Sequence, residues 1–357
     1  MTESTLQKAP ATKVLEGIER IHWTTTSCLC FVGSVLASMH YLGEPVENPY
    51  LMGISGGAFK FLWFPGWSPA LCDLLIVGEE PIERTFAGLG YEYTFSKGYD
   101  RPDAEQVRAT YRRQIVESID RGVPVIAQGI VGPPEACVVA GCEQGGEVLR
   151  GWSYFQEDAD HYFRAEDWEK DCYALILIGD KVARPSPPQV LRDSLEWAIE
   201  LCRVPTRECL PVGPEYQGLH YSGLAAYDAV VEALGDDEAF PEGDLAVLTF
   251  RSIPIGNDGI HLLACKRGAA ASFLNGMADQ GLPGADELRQ AAAAFEGEAQ
   301  LLRGAWGVVP FSECPPEDRL KLADPAFRRE IAQLVRAAKA HAERAVEHLE
   351  GALAALR

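Results

Sequence analysis

The stretch TTTSCLCFVGSVLASMHYLG, residues Thr24–Gly43, decides the reading of the fold. From Leu29 to Leu42 it places Phe31, Val32, Val35, Leu36, Met39 and Leu42 on one helical stripe, with Gly43 as the stop, and this predicts an amphipathic helix. Two cysteines, Cys28 and Cys30, stand at its entrance. A thiol at a helix start feels the positive end of the macrodipole, which favours the nucleophilic thiolate. The alternative is a small, inert, buried residue at the helix start. The sequence leaves both open.

Outward from this helix the first half alternates helical and strand-like signals. YLMGISGGAFKFLWF, Tyr50–Phe64, is a glycine-rich turn running into an aromatic stretch. It lacks the Lys-Ser/Thr ending of a P-loop and does not match GxGxxG, so Gly56 and Gly57 are expected to let the backbone turn closely past the first helix. EPIERTFAGLGYEYTFS then reads as helix, glycine break and strand, and RPDAEQVRATYRRQIVESIDRG as a charged amphipathic helix closed by Gly122. VPVIAQGIV and CYALILIGDK are apolar strands, with a hairpin between them turning at Gln144-Gly145-Gly146. Helices followed by a strand cluster predict an α+β domain.

That pattern ends at ARPSPPQ, where Pro185, Pro187 and Pro188 stop any strand. Beyond it the signal is helical, ending in a long stretch from Pro325 in which Ile331, Val335, Ala338, Ala342, Ala345, Leu349, Leu353 and Leu356 recur at spacings of three and four. The expected organisation is an α+β domain over residues 1–182 and an all-helical domain over 183–357. The last stripe is expected to pack on its own domain rather than on a second chain.

A formal charge of -20 opposes nucleic acid and anionic membrane surfaces and favours a small cationic amine as partner. No stretch reaches the roughly 18 apolar residues of a membrane span, and the opening MTESTLQKAPATK lacks the apolar core of a secretion signal. The expected location is cytoplasmic, with the ten cysteines as reduced thiols. There is no CxxC pair, and the single CxC has no matching second pair, so neither a metal site nor a cofactor is expected.

Cys30 followed 13 residues later by the end of Tyr41-Leu42-Gly43 resembles the opening of papain-like domains of the bacteriocin-leader-peptidase kind. LMGISGGAFKF resembles, more narrowly, the amino-terminal domain of the butirosin-biosynthesis acyltransferase family, and RGVPVIAQGIVGPPEACVVAGCEQGGEVLRGWSYF is similar to the second half of a papain-like domain. The resemblance covers roughly residues 15–180. It implies a papain-like fold, a helix and an antiparallel sheet, with Cys30 as nucleophile. It also implies an acyl carrier protein as partner and a role in natural-product or modified-peptide biosynthesis.

Three positions depart from that pattern. The histidine slot holds Glu135, a carboxylate that favours the neutral thiol. The Asp-Pro that orients the histidine is replaced by Gly151-Trp152-Ser153, and the oxyanion glutamine by Thr24, or by His22 if Cys28 is the counterpart. A base for Cys30 would then come from elsewhere, with His261 and His161 as candidates. Cys28, Gly56, Gly57, Trp152 and Ser153 are expected around the substrate; core packing is the alternative for Trp152, Tyr154 and Phe155. Two functions follow as expectations: acyl or aminoacyl transfer from a thioester to an amine, or a papain-like protein that has lost catalysis and binds a small molecule or peptide. Hydrolysis ranks third.

Overall fold

The computed structural model describes residues 12–68, 71–97, 104–209 and 218–357. In chain order the elements are β1 (Lys13–Val14), α1 (Cys30–Tyr41), α2 (Asn48–Ile54), β2 (Leu62–Trp63), α3 (Glu80–Leu89), β3 (Tyr91–Lys97) and α4 (Ala104–Asp120). Then come β4 (Val125–Gln128), β5 (Ala136–Glu143), β6 (Val148–Trp152), β7 (Phe163–Ala165), β8 (Ala174–Lys181), α5 (Pro187–Arg203), β9 (Thr206–Cys209) and β10 (Gly218–Ser222). The remainder is helical: α6 (Leu224–Leu234), α7 (Leu245–Ser252), a π-helix (Ile253–Leu262), α8 (Leu263–Ala278), α9 (Ala285–Gly304), α10 (Pro316–Leu320) and α11 (Pro325–Ala355).

The chain divides into two compact units. One comprises the described residues up to Asn48 together with Leu89–Arg184; the other comprises Pro49–Gly88 and Pro185–Arg357. The division at Arg184/Pro185 falls inside the proline-rich stretch. Pro187 and Pro188 open α5, because the first helical turn does not need the amide protons that proline lacks.

The first unit is a mixed helix and antiparallel-sheet structure. Its sheet runs β3-β8-β4-β5-β6-β7, with β1 added to β5, and every pairing is antiparallel. β4 and β5 lie in the middle and are buried along almost their whole length, which explains their near-continuous apolar sequences. β5 and β6 form the hairpin foreseen at Gln144–Gly146, where Gln144, Gly145 and Gly146 all have positive φ. Helix α1 packs on β5 and β4. The sequence suggested an amphipathic helix, but every residue from Cys30 to Met39 is buried: Gly33, Ser34, Ala37 and Ser38 are small enough for the polar-looking face to be covered as well.

The second unit departs from the sequence reading in two respects. Residues 49–88, expected with the first 182, belong to it, and it is not all-helical: β2, β10 and β9 form a three-stranded antiparallel sheet. The reason is hydrophobic. Phe61, Leu62, Trp63 and Trp67 are buried in one cluster with Tyr227, Ile260, Leu302 and Val335, so the aromatic stretch completes the core of the helical region. Gly56 (φ 79°) serves the same packing, since a Cβ there would lie 2.2 Å from Trp197 Nε1 of α5. The stripe of α11 packs on α9, α6 and α5 of its own unit.

Arg267 of α8 is sealed inside this unit. Its Nε donates to Glu298 Oε2 at 3.1 Å, Nη2 to Tyr227 Oη at 2.9 Å, and Nη1 to the carbonyls of Ala58 and Phe59 at 2.8 and 2.9 Å. Burial alone would lower the Arg267 pKa, but the Glu298 carboxylate outweighs it and the guanidinium stays charged. The network ties the 58–59 segment to α6, α8 and α9. Among the described residues no helix is long and apolar enough to cross a membrane.

Candidate functional site

The candidate site lies in the first unit, at the amino-terminal end of α1. Leu29 precedes the helix in an extended conformation and, being apolar, offers no side-chain cap. The first amides of a helix have no intrahelical acceptor, so the helix field is directed at Cys30, the first helical residue. Cys30 is 3 % exposed, and Cys28 is half-buried.

Across this helix start lies Tyr154, from the segment that follows β6. Its Oη donates to Ser27 O at 3.0 Å. A Cβ on Gly33 would lie 1.9 Å from that oxygen, so the glycine one turn into α1 is what admits the phenol. Burial pushes the Tyr154 pKa well above 10, and the neighbouring Cys30, Cys28 and Glu135 push it the same way; the phenol therefore remains protonated. Glu135, buried, immediately precedes β5, after a turn closed by its amide donating to Pro133 O at 2.6 Å. Tyr173 Oη donates to Pro134 O and steadies that turn from β8's side.

Ser153 is a tether between two loops. Its Oγ donates to Val131 O at 3.1 Å and accepts the Phe155 amide at 3.1 Å, while its own amide donates to Gln156 Oε1 at 2.9 Å. Trp152 is buried; its Nε1 donates to Ile18 O at 2.9 Å and its ring meets Tyr162 edge-on at 5.0 Å. Both residues hold the 153–156 segment where Tyr154 needs it. The partly exposed wall is formed by Trp23, whose ring centroid lies 4.4 Å from Tyr154 and 5.6 Å from Phe155.

His22 and Thr24, which flank Trp23, bond to each other through their side chains at 3.0 Å. His161 is exposed, with Nδ1 3.1 Å from Asp158 Oδ2. His261 sits in the second unit, on the π-helix, between the rings of Phe311 at 4.8 Å and Trp306 at 5.3 Å; burial lowers its pKa. Gly56 and Gly57 also lie in the second unit, where the Gly57 amide donates to Ser55 Oγ at 3.2 Å. The sequence left Tyr154 open between pocket wall and core packing and did not mark Trp23; the one local sign of a close neighbour was Gly33, a glycine inside an apolar helix.

Among the described residues, no group of three His, Cys, Asp or Glu side chains is arranged to hold a metal ion. The fold and the site thus define an α+β unit with a buried thiol at a helix start, flanked by a second thiol, a neutral phenol and a carboxyl group. No protein-family profile matches the chain, and no curated protein matches it.

Proposed function

We propose that the protein is an acyl or aminoacyl transferase in which Cys30 takes an acyl group from a thioester donor and passes it to an amine. The observation that carries this reading is a buried Cys30 as the first residue of α1, beside the Tyr154 phenol that is seated against Gly33 and bonded to Ser27 O. The papain-like resemblance supports it with a cysteine in the nucleophile slot. A thioester donor suits a site with a carboxylate in place of imidazole, because a thiolate leaves with far less protonic help than an amine does. In this reading Glu135 binds the incoming ammonium group and removes its proton before attack. An acyl carrier protein is the donor the resemblance suggests, and the acidic charge of the chain suits a cationic acceptor.

A second reading rests on one observation, the carboxylate in the histidine slot: a catalytically silent protein that holds a cationic small molecule or peptide against Glu135 and the Trp23 wall. Alkylation by iodoacetamide against pH, in the native protein and in Cys28→Ser and Cys30→Ser, separates the two. Selective labelling of Cys30 with a midpoint below the free-thiol value of about 8.5 is the expected result. The deeply buried Cys137 and Cys202, whose thiols burial pushes up to about 12 and about 11, serve as unreactive internal controls. An inert Cys30 would overturn transfer in favour of binding.

A further inference from the structure

The sequence of α3 carries Glu80, Glu83, Arg84, Ala87 and Gly88 at spacings of three and four, which sets them on one helical face. The opposite face, with Ile82, Phe86 and Leu89, is buried. On α5, Val190, Asp193 and Ser194 make a matching face. The two faces, with Ile54 at the end of α2 and Pro185 before α5, line a cleft of about 270 Å³ that lies wholly within the second unit. Gly88 lets α3 close on α2, since a Cβ there would lie 2.9 Å from Ile54 Cδ1, and Tyr50 Oη donates to the Gly88 carbonyl at 3.0 Å. Arg84 ties the walls together. Its Nη1 donates to Asp193 O at 2.8 Å, its Nε to Glu80 Oε1 at 2.7 Å, and the guanidinium lies 5.2 Å from the Trp197 ring.

With Arg84 committed to Glu80 and to the Asp193 carbonyl, the charge the cleft offers is negative. Glu83 and Asp193 enter no ion pair among the described residues, and Asp193 Oδ1 accepts the neutral Gln189 Nε2 amide at 2.7 Å. Ser194 also lines the cleft; it is 3 % exposed, and its hydroxyl has no hydrogen-bond partner among the described residues. A hydroxyl so nearly enclosed costs free energy until something in the cleft bonds to it. Ile54 and Val190, both buried, supply an apolar floor. We propose that this cleft binds a small aliphatic amine in its ammonium form. An ammonium group has three donors and no acceptor, which match the Ser194 hydroxyl and the Glu83 and Asp193 carboxylates, while the hydrocarbon stem rests on Ile54 and Val190. The two uncompensated carboxylates disfavour an anion, and the volume stands at the lower end of small-molecule sites, which run from about 300 Å³ upward. Binding here is independent of the acyl-transfer reading.

The test is calorimetric titration of the full chain with n-pentylamine near pH 7, where the amine is charged, at about 0.15 M salt, which screens diffuse attraction to the acidic surface. Saturable one-to-one binding is expected, with pentan-1-ol, the same stem without the charge, binding about tenfold more weakly. Ser194→Ala, and Asp193→Asn, which keeps an acceptor for Gln189, should each weaken the amine about tenfold. Glu83→Gln, a change at an exposed position that threatens no packing, should weaken it about threefold and keeps the test decisive if Ser194→Ala impairs folding. Glu232→Gln, on an exposed position of α6 in the same unit, should leave binding unchanged. No saturable binding, or wild-type affinity in all three cleft variants, would overturn the site. Equal affinity for pentan-1-ol would overturn its selection of a cation.

Discussion

Replacing Gly33 by alanine tests the central packing of the site. The new methyl would lie 1.9 Å from Tyr154 Oη and 2.9 Å from Cζ, well inside van der Waals contact, so the phenol must withdraw and its bond to Ser27 O is lost. Overpacking costs about 1–3 kcal/mol and the lost buried hydrogen bond about 1 kcal/mol, against about 1 kcal/mol gained from the helix propensity of alanine. The net expectation for Gly33→Ala is a destabilisation of about 2 kcal/mol, from the same terms. Tyr154→Phe removes the oxygen at 1.9 Å and leaves the ring carbon at 2.9 Å, a gap that a small ring shift relieves. In the Tyr154→Phe background, Gly33→Ala should therefore cost within about 1 kcal/mol of nothing, a coupling energy of about 2 kcal/mol. Urea unfolding of the four proteins closes the cycle, and cysteine alkylation reports whether Cys30 becomes more reactive as Tyr154 withdraws. An equal cost for Gly33→Ala in both backgrounds would refute the claim that Tyr154 dictates glycine at that position.

Two further outcomes are expected. Glu298→Ala strands the sealed Arg267 charge and should cost about 3–5 kcal/mol, whereas Arg267→Met combined with Glu298→Leu should cost less than the two single changes added together; simple additivity in urea unfolding would show that the pair is not coupled. His220 is fully buried, stacked on Phe64 at 4.6 Å, and burial holds its pKa below the ordinary 6.5, reinforced by the Lys60 charge. The unfolded chain therefore binds the proton first as pH falls, so the contribution of His220 to stability is full above 6.5 and declines below it, toward the lower folded value. His220→Gln should flatten the dependence of unfolding free energy on pH in that window, and an unchanged slope would assign the loss to other groups.

How much of this was legible in the chain differs from element to element. A helix with Cys30 at its start, the Gln144–Gly146 hairpin, the strands around Ile126 and Ile176 and the long helix from Pro325 all carry their signal locally, in apolar spacing and in residues whose backbone preferences mark turns and stops. The division at Arg184/Pro185 was legible for the same reason, since three prolines close together end one pattern and open the next.

Periodicity states that a residue is buried and says nothing of what buries it. The aromatic stretch from Phe59 to Trp67 follows α1 and α2 in sequence, yet its core is made by helices about 200 residues later. Strands β9 and β10 lay inside a stretch read as helical because β2, the strand that pairs with β10 opposite β9, comes from that same distant segment. The candidate site repeats the lesson. Cys30, Cys28 and Glu135 were chosen by residue type and position, but only the folded chain shows that all three push up the pKa of one phenol, that of Tyr154, seated on the bare backbone of Gly33. The sequence by itself determined the local elements and the chemistry on offer; the tertiary structure alone decided which groups meet, because contacts between residues far apart in the chain are selected by the shape and burial of the whole unit.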